Sequence, residues 1–456
     1  MILIVGIFLL FVVGLFAVSA LSPNLSYAER LGLSFPSGVA LVTFFMLIVD
    51  ALGLSIGAET NIAISVVLLI FMGVLCWLQR KDILSSLQHR PDVSSYNLVW
   101  CVLLIFIICL EYANFRKCMF FPTYDRDSLA AFDTIGFLIG QEHTFHSLSI
   151  FVGDYMPGIH GPGSPIAYTP MLELAYGYVY SLGSETSKII PGLIYMSFLL
   201  AFYGVTARFT SKTMAMLATL FLLLTPEMTS FSSLSGTNTV HAVYAGLGVA
   251  YFIAWFKENR RSDLWLGSFL LAANVWARAE GIVFLFAVGL FVFVKAVYRK
   301  RLLTLIPMAL TIVPMVVWFF YTKAFGMTSV SVVSTQLVLD GAKAAAVWNG
   351  AMDLIGNNTY YGWTFYAVIL ALLVDICYVV KRKGNLLVPG ILILSIVLYF
   401  FVLYQIDYKW DSMDNVLKYS AKRFMFCFVG ISWFYVATCE AVRCVSAKFD
   451  KWMACR

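Results

Sequence analysis

The sequence predicts an all-α polytopic membrane protein of about 13 transmembrane helices, and three observations carry that expectation. Hydrophobic residues make up 61% of the chain and charged residues only 12%, about half the charge of an ordinary soluble domain. The apolar residues fall in repeated runs near 18 residues long, close to the roughly 20 that cross a bilayer. The basic residues gather in short clusters between those runs, at positions that fit one topology. No stretch of soluble-domain composition is left over. The net charge of +6 therefore reports topology rather than a nucleic-acid partner. The nine cysteines show no paired spacing. Cys76, Cys101, Cys109, Cys427 and Cys439 lie inside apolar runs, where cysteine acts as a small hydrophobe, so neither a disulfide framework nor a zinc site is expected.

Four spans come first, at 2–20, 38–56, 61–78 and 97–113. The first ends in Val18-Ser19-Ala20, which resembles a leader cleavage site. No Lys or Arg precedes its apolar core, so a retained span is expected. Gln79-Arg80-Lys81 and His89-Arg90 put the connection after the third span on the cytoplasmic side, which places the N-terminus outside. The fourth span then delivers a long loop to the outer face. Segment 166–182 is apolar but short and carries Glu173. It is expected to lie along the outer interface as an amphipathic helix, because every later basic cluster then falls inside. Those clusters are Arg208 with Lys212, Lys257 with Arg260 and Arg261, Lys295 with 299–301, Lys381-Arg382-Lys383, and the 443–456 tail. The remaining spans run near 189–207, 213–226, 238–256, 263–278, 281–297, 303–321, 363–380, 386–404 and 424–441. Three regions result: an N-terminal extension of three spans (1–96), a core (97–325) with the outer loop 114–188, and a C-terminal region (326–456) with outer loops 322–362 and 405–423.

Chemistry concentrates in the loops. The 114–170 stretch is polar and punctuated by Pro and Gly, whereas most connections run only about 4–6 residues. It opens with Tyr124-Asp125-Arg126-Asp127, continues through Asp133, Glu142, His143 and His146, and ends on Gly161-Pro162-Gly163-Ser164-Pro165-Ile166-Ala167-Tyr168-Thr169-Pro170. Two acids beside a bilayer can serve as a general base or hold a divalent cation. Alternatively, Asp127 caps a helix that begins at Ser128. The 405–423 loop carries Lys409, Lys418, Lys422 and Arg423 on the outer side, against the positive-inside tendency, with Asp407, Asp411 and Asp414 in partial balance. Lys418, Lys422 and Arg423 share one face if the stretch is helical, which suits an anionic lipid phosphate, or ordinary snorkelling to headgroups. Arg278 and Glu280 join two spans, either pairing to close a tight hairpin or facing the outer cavity. His143 and His146 do not match the His-Glu-x-x-His zinc pattern. Asp50 is the one acid expected near mid-span, where an acid is a functional candidate or is partnered within the bundle.

Together these pieces resemble the GT-C superfamily of membrane glycosyltransferases that use polyprenyl-phosphate sugars. The likeness is to the protein-mannosyltransferase and lipid A aminoarabinose-transferase group and to related bacterial transferases. It rests on Tyr124-Asp125-Arg126-Asp127 followed by Phe132 and Ile135-Gly136, on Tyr168-Thr169-Pro170 through Leu182-Gly183, on Arg278-Ala279-Glu280-Gly281, and on Ser420-Ala421-Lys422-Arg423. Ala279 stands where that family has proline, and the acidic motif lacks its Asp-Glu pair. The likeness spans roughly residues 97–430, with the first three spans resembling an extension of some bacterial members.

The resemblance implies inverting sugar transfer from a polyprenyl-phosphate donor to a glycan, lipid or protein acceptor. It places that reaction on the periplasmic or lumenal side, in a bacterial inner membrane. It casts Asp127 as the base, with Asp125 orienting the acceptor or helping to hold a cation such as Mg or Mn; which of the two acids is the key one stays open. Arg423, Lys422, Lys418 and Arg278 would hold the donor phosphate. Tyr124, Glu142, His143, His146, Tyr168 and Glu280 would line the sugar and acceptor site. Membrane lipids are the other partner, and nucleic acid is not one. Two other readings compete: an O-antigen ligase or polymerase acting on a diphosphate-linked glycan, and a transporter or flippase of lipid-linked glycans. The first would want His in a late outer loop, where 405–423 has none, and the second would want inverted repeats and charged broken helices.

Overall fold

Backbone contact between glycines joins the first two helices. A Cβ on Gly14 would lie 1.7 Å from the Ser34 carbonyl oxygen, and one on Gly38 would lie 1.8 Å from that of Leu10. Only glycine lets Ile2–Leu21 and Tyr27–Ala51 approach so closely, as small residues do in membrane bundles. The second helix starts well before the expected residue 38. Ser26 caps it by accepting from the Glu29 backbone N–H at 3.3 Å, while the Glu29 carboxylate accepts from the Ser26 N–H at 3.0 Å. Asp50 therefore sits in the last turn of this helix rather than at mid-span.

The computed structural model describes residues 1–88, 96–152, 168–327, 333–335, 339–380, 386–408 and 412–454. Among these, nine helices are long and apolar enough to cross a membrane, or ten if the bent pair Phe426–Thr438 and Glu440–Asp450 forms one span. The chain is thus a polytopic α-helical membrane protein. Four expected spans differ in form. Lys212–Leu223 and Thr364–Tyr378 are short, Arg261–Ala277 falls just under spanning length, and the last expected span is the pair bent by 59°. Pro226 ends the helical run at Leu223, and Arg260 and Arg278 bracket Arg261–Ala277, so apolar composition overestimates usable length. His89, Arg90, His160, residues 161–167, Lys381, Arg382, Lys383, Lys409 and Asp411 lie outside the described residues.

Thr237–Glu258 forms the centre, buried on nearly every face between Arg261–Ala277, Ile189–Thr206 and Phe426–Thr438. The segment expected at the interface is the helix Met171–Ser181, and its first nine residues are all buried. It packs against Asp133–Glu142, where a Cβ on Gly136 would meet the Tyr176 Cβ at 2.3 Å. The helix is thus enclosed by protein and presents no wet face along this stretch, unlike an amphipathic helix lying in an interface. One short antiparallel ribbon departs from the all-helical expectation, with Val333–Thr335 pairing Ile406–Tyr408 in the register Val333↔Tyr408. It links the two late loops.

The two ends of the bundle carry different charged groups. Helix Arg261–Ala277 has Arg278 at one end and Asp263 at the other. The Arg278 end also holds Asp127, Tyr168, Glu227, Lys422 and Arg423. The Asp263 end holds Arg208, Glu29 and Glu258.

Candidate functional site

Two π-helical turns build the heart of the site. Such turns are rare and widen the helix by one residue per turn. One is Ser128–Phe132, directly after the acidic motif, and the other is Val416–Ser420, directly before the basic one. Asp125, rather than Asp127, caps the first. Its carboxylate accepts from the Ser128 N–H at 3.1 Å and from the Ser128 hydroxyl at 3.2 Å. That leaves the Asp127 carboxylate free to reach across 296 residues of sequence and pair with the Arg423 guanidinium. Asp127 is 45% exposed and Arg423 18%. The buried Arg423 Nε donates to nothing among the described residues, and Phe231 lies beneath the guanidinium at 6.0 Å.

The second π-turn breaks the expected alignment of cations. With the extra residue, the α-helical spacing that would align Lys418 with Lys422 and Arg423 is lost. The Lys418 ammonium lies over the Tyr419 ring at 5.3 Å, on the surface. Lys422 pairs with Glu227 at 2.9 Å and lies over Tyr360 at 5.0 Å. Its carbonyl accepts from the Tyr361 hydroxyl at 2.7 Å, which ties this turn to the 322–362 loop.

Arg278 forms the inner wall. It donates to the Glu280 carboxylate at 2.9 and 3.3 Å, to Asn238 at 2.7 Å and to Thr237 at 3.2 Å. The guanidinium sits between the Tyr168 ring at 4.7 Å and the Phe424 ring at 5.6 Å. Phe424 directly follows Arg423, and Tyr168 packs on Phe132 of the first π-turn with ring centres 5.7 Å apart. The four motifs singled out in the sequence thus converge through Tyr168 and Phe424. The Arg278 charge favours the Tyr168 phenolate, but burial together with the charges of Glu280 and Asp127 outweighs it, and the pKa is raised. Tyr168 is therefore a neutral hydroxyl.

Behind Arg278 lies a buried polar layer. Neither Glu173 oxygen has a hydrogen-bond partner among the described residues, and His241 and Asn274 lie side by side, outside good hydrogen-bonding geometry. All three side chains are buried. Burial raises the Glu173 carboxyl from 4.5 to about 8, against a small opposing effect of its own backbone and of Arg278. Glu173 is thus an uncharged acid at neutral pH.

Several residues expected here work elsewhere. The Glu142 carboxylate binds the N–H of Ser149 at 2.7 Å and its hydroxyl, closing a turn. His143 ends its helix in the left-handed region at φ 57°, and its carbonyl accepts from the Ile56 N–H at 2.8 Å. His146 donates its Nδ1–H to the Asp50 carboxylate at 2.8 Å and stacks on Phe325 at 4.2 Å. Asp50 also accepts from the backbone N–H groups of Phe145 and His146, at 2.9 and 3.2 Å, and from the Tyr321 hydroxyl. These four residues hold the first loop onto the bundle. Tyr124 is exposed. The reason is spacing: the polar residues near 142–149 fall at a helix end, where backbone groups need partners. As for a cation, no group of three His, Cys, Asp or Glu side chains converges among the described residues, and Asp125 and Asp127 face different partners. The donor set does not fit a divalent ion.

Glu227, Asn238, Glu173 and His241 belong to this region and were not expected there. Glu227 is the lone acid among the Ser and Thr residues of 226–238. The buried pair carried no sequence signal beyond a polar residue in an apolar run. No family model, curated protein or solved structure matches this chain.

Proposed function

We propose that the chain is an integral-membrane glycosyltransferase of GT-C type, moving a sugar from a polyprenyl-phosphate donor to a hydroxyl acceptor at the outer face of the membrane. The observation that supports this most is the pairing of Asp127 with Arg423, beside Lys422 and Arg278, at one end of the bundle. A base and a phosphate ligand would be needed next to each other there. A donor phosphate would compete with Asp127 for Arg423, since a guanidinium binds phosphate and carboxylate through the same fork. The exchange frees the Asp127 carboxylate. The acceptor oxygen then attacks the anomeric carbon from the face opposite the phosphate. The bond to the lipid phosphate breaks, and its electron pair stays on the phosphate oxygen, held by Arg423 and Lys422. The acceptor proton passes to Asp127, and the configuration at the anomeric carbon inverts. Asp125 positions Asp127 by capping the turn. Tyr168 and Glu280 offer hydrogen bonds to sugar hydroxyls.

The test uses membranes supplied with radiolabelled polyprenyl-monophosphate sugars, at matched expression. Wild type is expected to move label covalently to an acceptor, and Asp127→Asn to lose about 100-fold, as removal of a positioned base does. Label that crosses the membrane without becoming covalently attached indicates a transporter. If no monophosphate donor supports transfer, the donor class is wrong, and a diphosphate-using ligase becomes the better reading.

A further inference from the structure

The opposite end of the bundle contains two neighbouring cavities of similar size and different charge. One, of about 490 Å³, is lined by Lys257 and Arg443 but also by Glu258, Asp375 and Glu440. The other, of about 550 Å³, is lined by Arg261, Lys295, Arg299, Lys300 and Arg301, and no Asp or Glu among the described residues lines it. None of these five cations forms an ion pair among the described residues. Arg208, at the same end, gathers three carboxylates, so acids are available nearby and do not serve this cavity.

The remaining wall is apolar: Trp255, Leu264, Ala296, Leu302 and Leu303. Leu302 and Leu303 are 59% and 73% exposed on the surface of a membrane protein, level with the cations of the preceding turn. The cations are also positioned. Lys295 lies over the Trp255 ring at 4.1 Å and donates to the Phe256 carbonyl at 3.3 Å, while Arg299 donates to Asn259 at 3.1 Å. Lys300 sits at φ 54°, a left-handed conformation that glycine would adopt without strain, and the turn closes with the Arg301 N–H on the Ala296 carbonyl at 2.8 Å.

We infer that this cavity is a binding site for the headgroup of an anionic phospholipid. The cations take the phosphate, and Leu302 and Leu303 border the acyl chains. Basic pockets between spans at a membrane surface bind such headgroups, each Lys or Arg adding attraction. The site lies at the far end of Arg261–Ala277 from Arg278 and does not depend on the proposed transfer reaction.

Detergent-solubilised full-length protein, delipidated and then titrated with phosphatidylglycerol or with phosphatidylcholine of the same chains, tests this by native mass spectrometry. Wild type should retain phosphatidylglycerol in preference. The variant Arg299→Gln/Arg301→Gln should lower that retention about tenfold or more, two surface cations being removed. The variant Arg80→Gln/Lys81→Gln, with equal charge loss on another loop, should retain it as wild type does. Equal retention in all three proteins, or equal loss in both variants, overturns the site. Complete displacement of the lipid by an excess of inorganic phosphate overturns the lipid assignment in favour of a free anion. If the Arg299→Gln/Arg301→Gln protein does not fold, a headgroup-photoreactive phosphatidylglycerol on wild type decides the matter. Crosslinks within 295–304 support the site, and crosslinks confined to other segments refute it.

Discussion

Arg208 and Arg423 are ion-paired arginines at opposite ends of one bundle, and their surroundings differ sharply. Arg208 meets Asp263 through two nitrogens at 3.0 and 2.7 Å, Glu29 at 3.2 Å, and Glu258, with its side chain only 11% exposed. Tyr251 adds a hydrogen bond to Glu29 at 3.0 Å. Burial alone would pull the Arg208 pKa down, but the hydrogen bonds to Asp263 and Glu258 and the Glu29 charge hold it well above its ordinary value. The carboxylates come from the starts and ends of Tyr27–Ala51, Thr237–Glu258 and Arg261–Ala277, so one guanidinium ties three helices together. Arg423 meets one carboxylate, Asp127, which is half open to solvent. A cation held by several mostly buried acids cannot lose a partner cheaply, whereas Arg423, 18% exposed, has a single acid that is open to solvent and that a ligand can replace. The first arrangement suits architecture, and the second suits the exchange of a partner.

Removing Arg208 should give the largest effect on stability. Arg208→Met leaves buried acids unpaired, a loss of about 3–5 kcal/mol, to be read as a large drop in melting temperature in detergent. A melting temperature equal to wild type would remove the architectural half of the comparison. Arg423→Gln should do the reverse, with transfer falling about 100-fold while stability changes by less than about 1 kcal/mol. Destabilisation as severe as that of Arg208→Met would show the two pairs to be alike.

Glu173 sharpens the comparison from beneath the site. Its folded-state pKa of about 8 lies above the ordinary 4.5, so folding takes up a proton. Stability from this group is complete below about pH 4.5, falls as pH rises, and is fully lost above about pH 8. Melting temperatures at pH 5 and pH 8 should differ less for Glu173→Gln than for wild type, and identical differences would show that Glu173 is already ionised. Asp125→Ala removes a cap and should cost about 1 kcal/mol. Its transfer activity should fall less than that of Asp127→Asn, and a greater fall would exchange their roles. The smallest effect is expected of Lys418→Ala, within about 0.5 kcal/mol and without loss of transfer. A large loss there would mean that Lys418 reaches the donor after all.

The helices were legible because their signal is local. Ser26 and Glu29 even announce the true start of the second helix as a capping box, which the apolar run beginning near 38 obscured. Asp125 and Asp127 were legible as a pair, but their separate tasks were not, because a π-turn rather than an α-turn follows them. Glu142, His143 and His146 have the residue types of a catalytic site and serve a loop anchored on Asp50 instead.

By itself, then, the sequence determined that this chain crosses a membrane many times, since transfer of apolar side chains from water is nearly additive along the chain and needs no knowledge of neighbours. It also determined which polar motifs were available. Only the tertiary structure decided which charges meet. Arg423 finds Asp127, Lys422 finds Glu227, and Lys295 and residues 299–301 find no acid among the described residues, because ion pairing depends on distance in space and falls off within a few ångströms, while separation in sequence is silent about it.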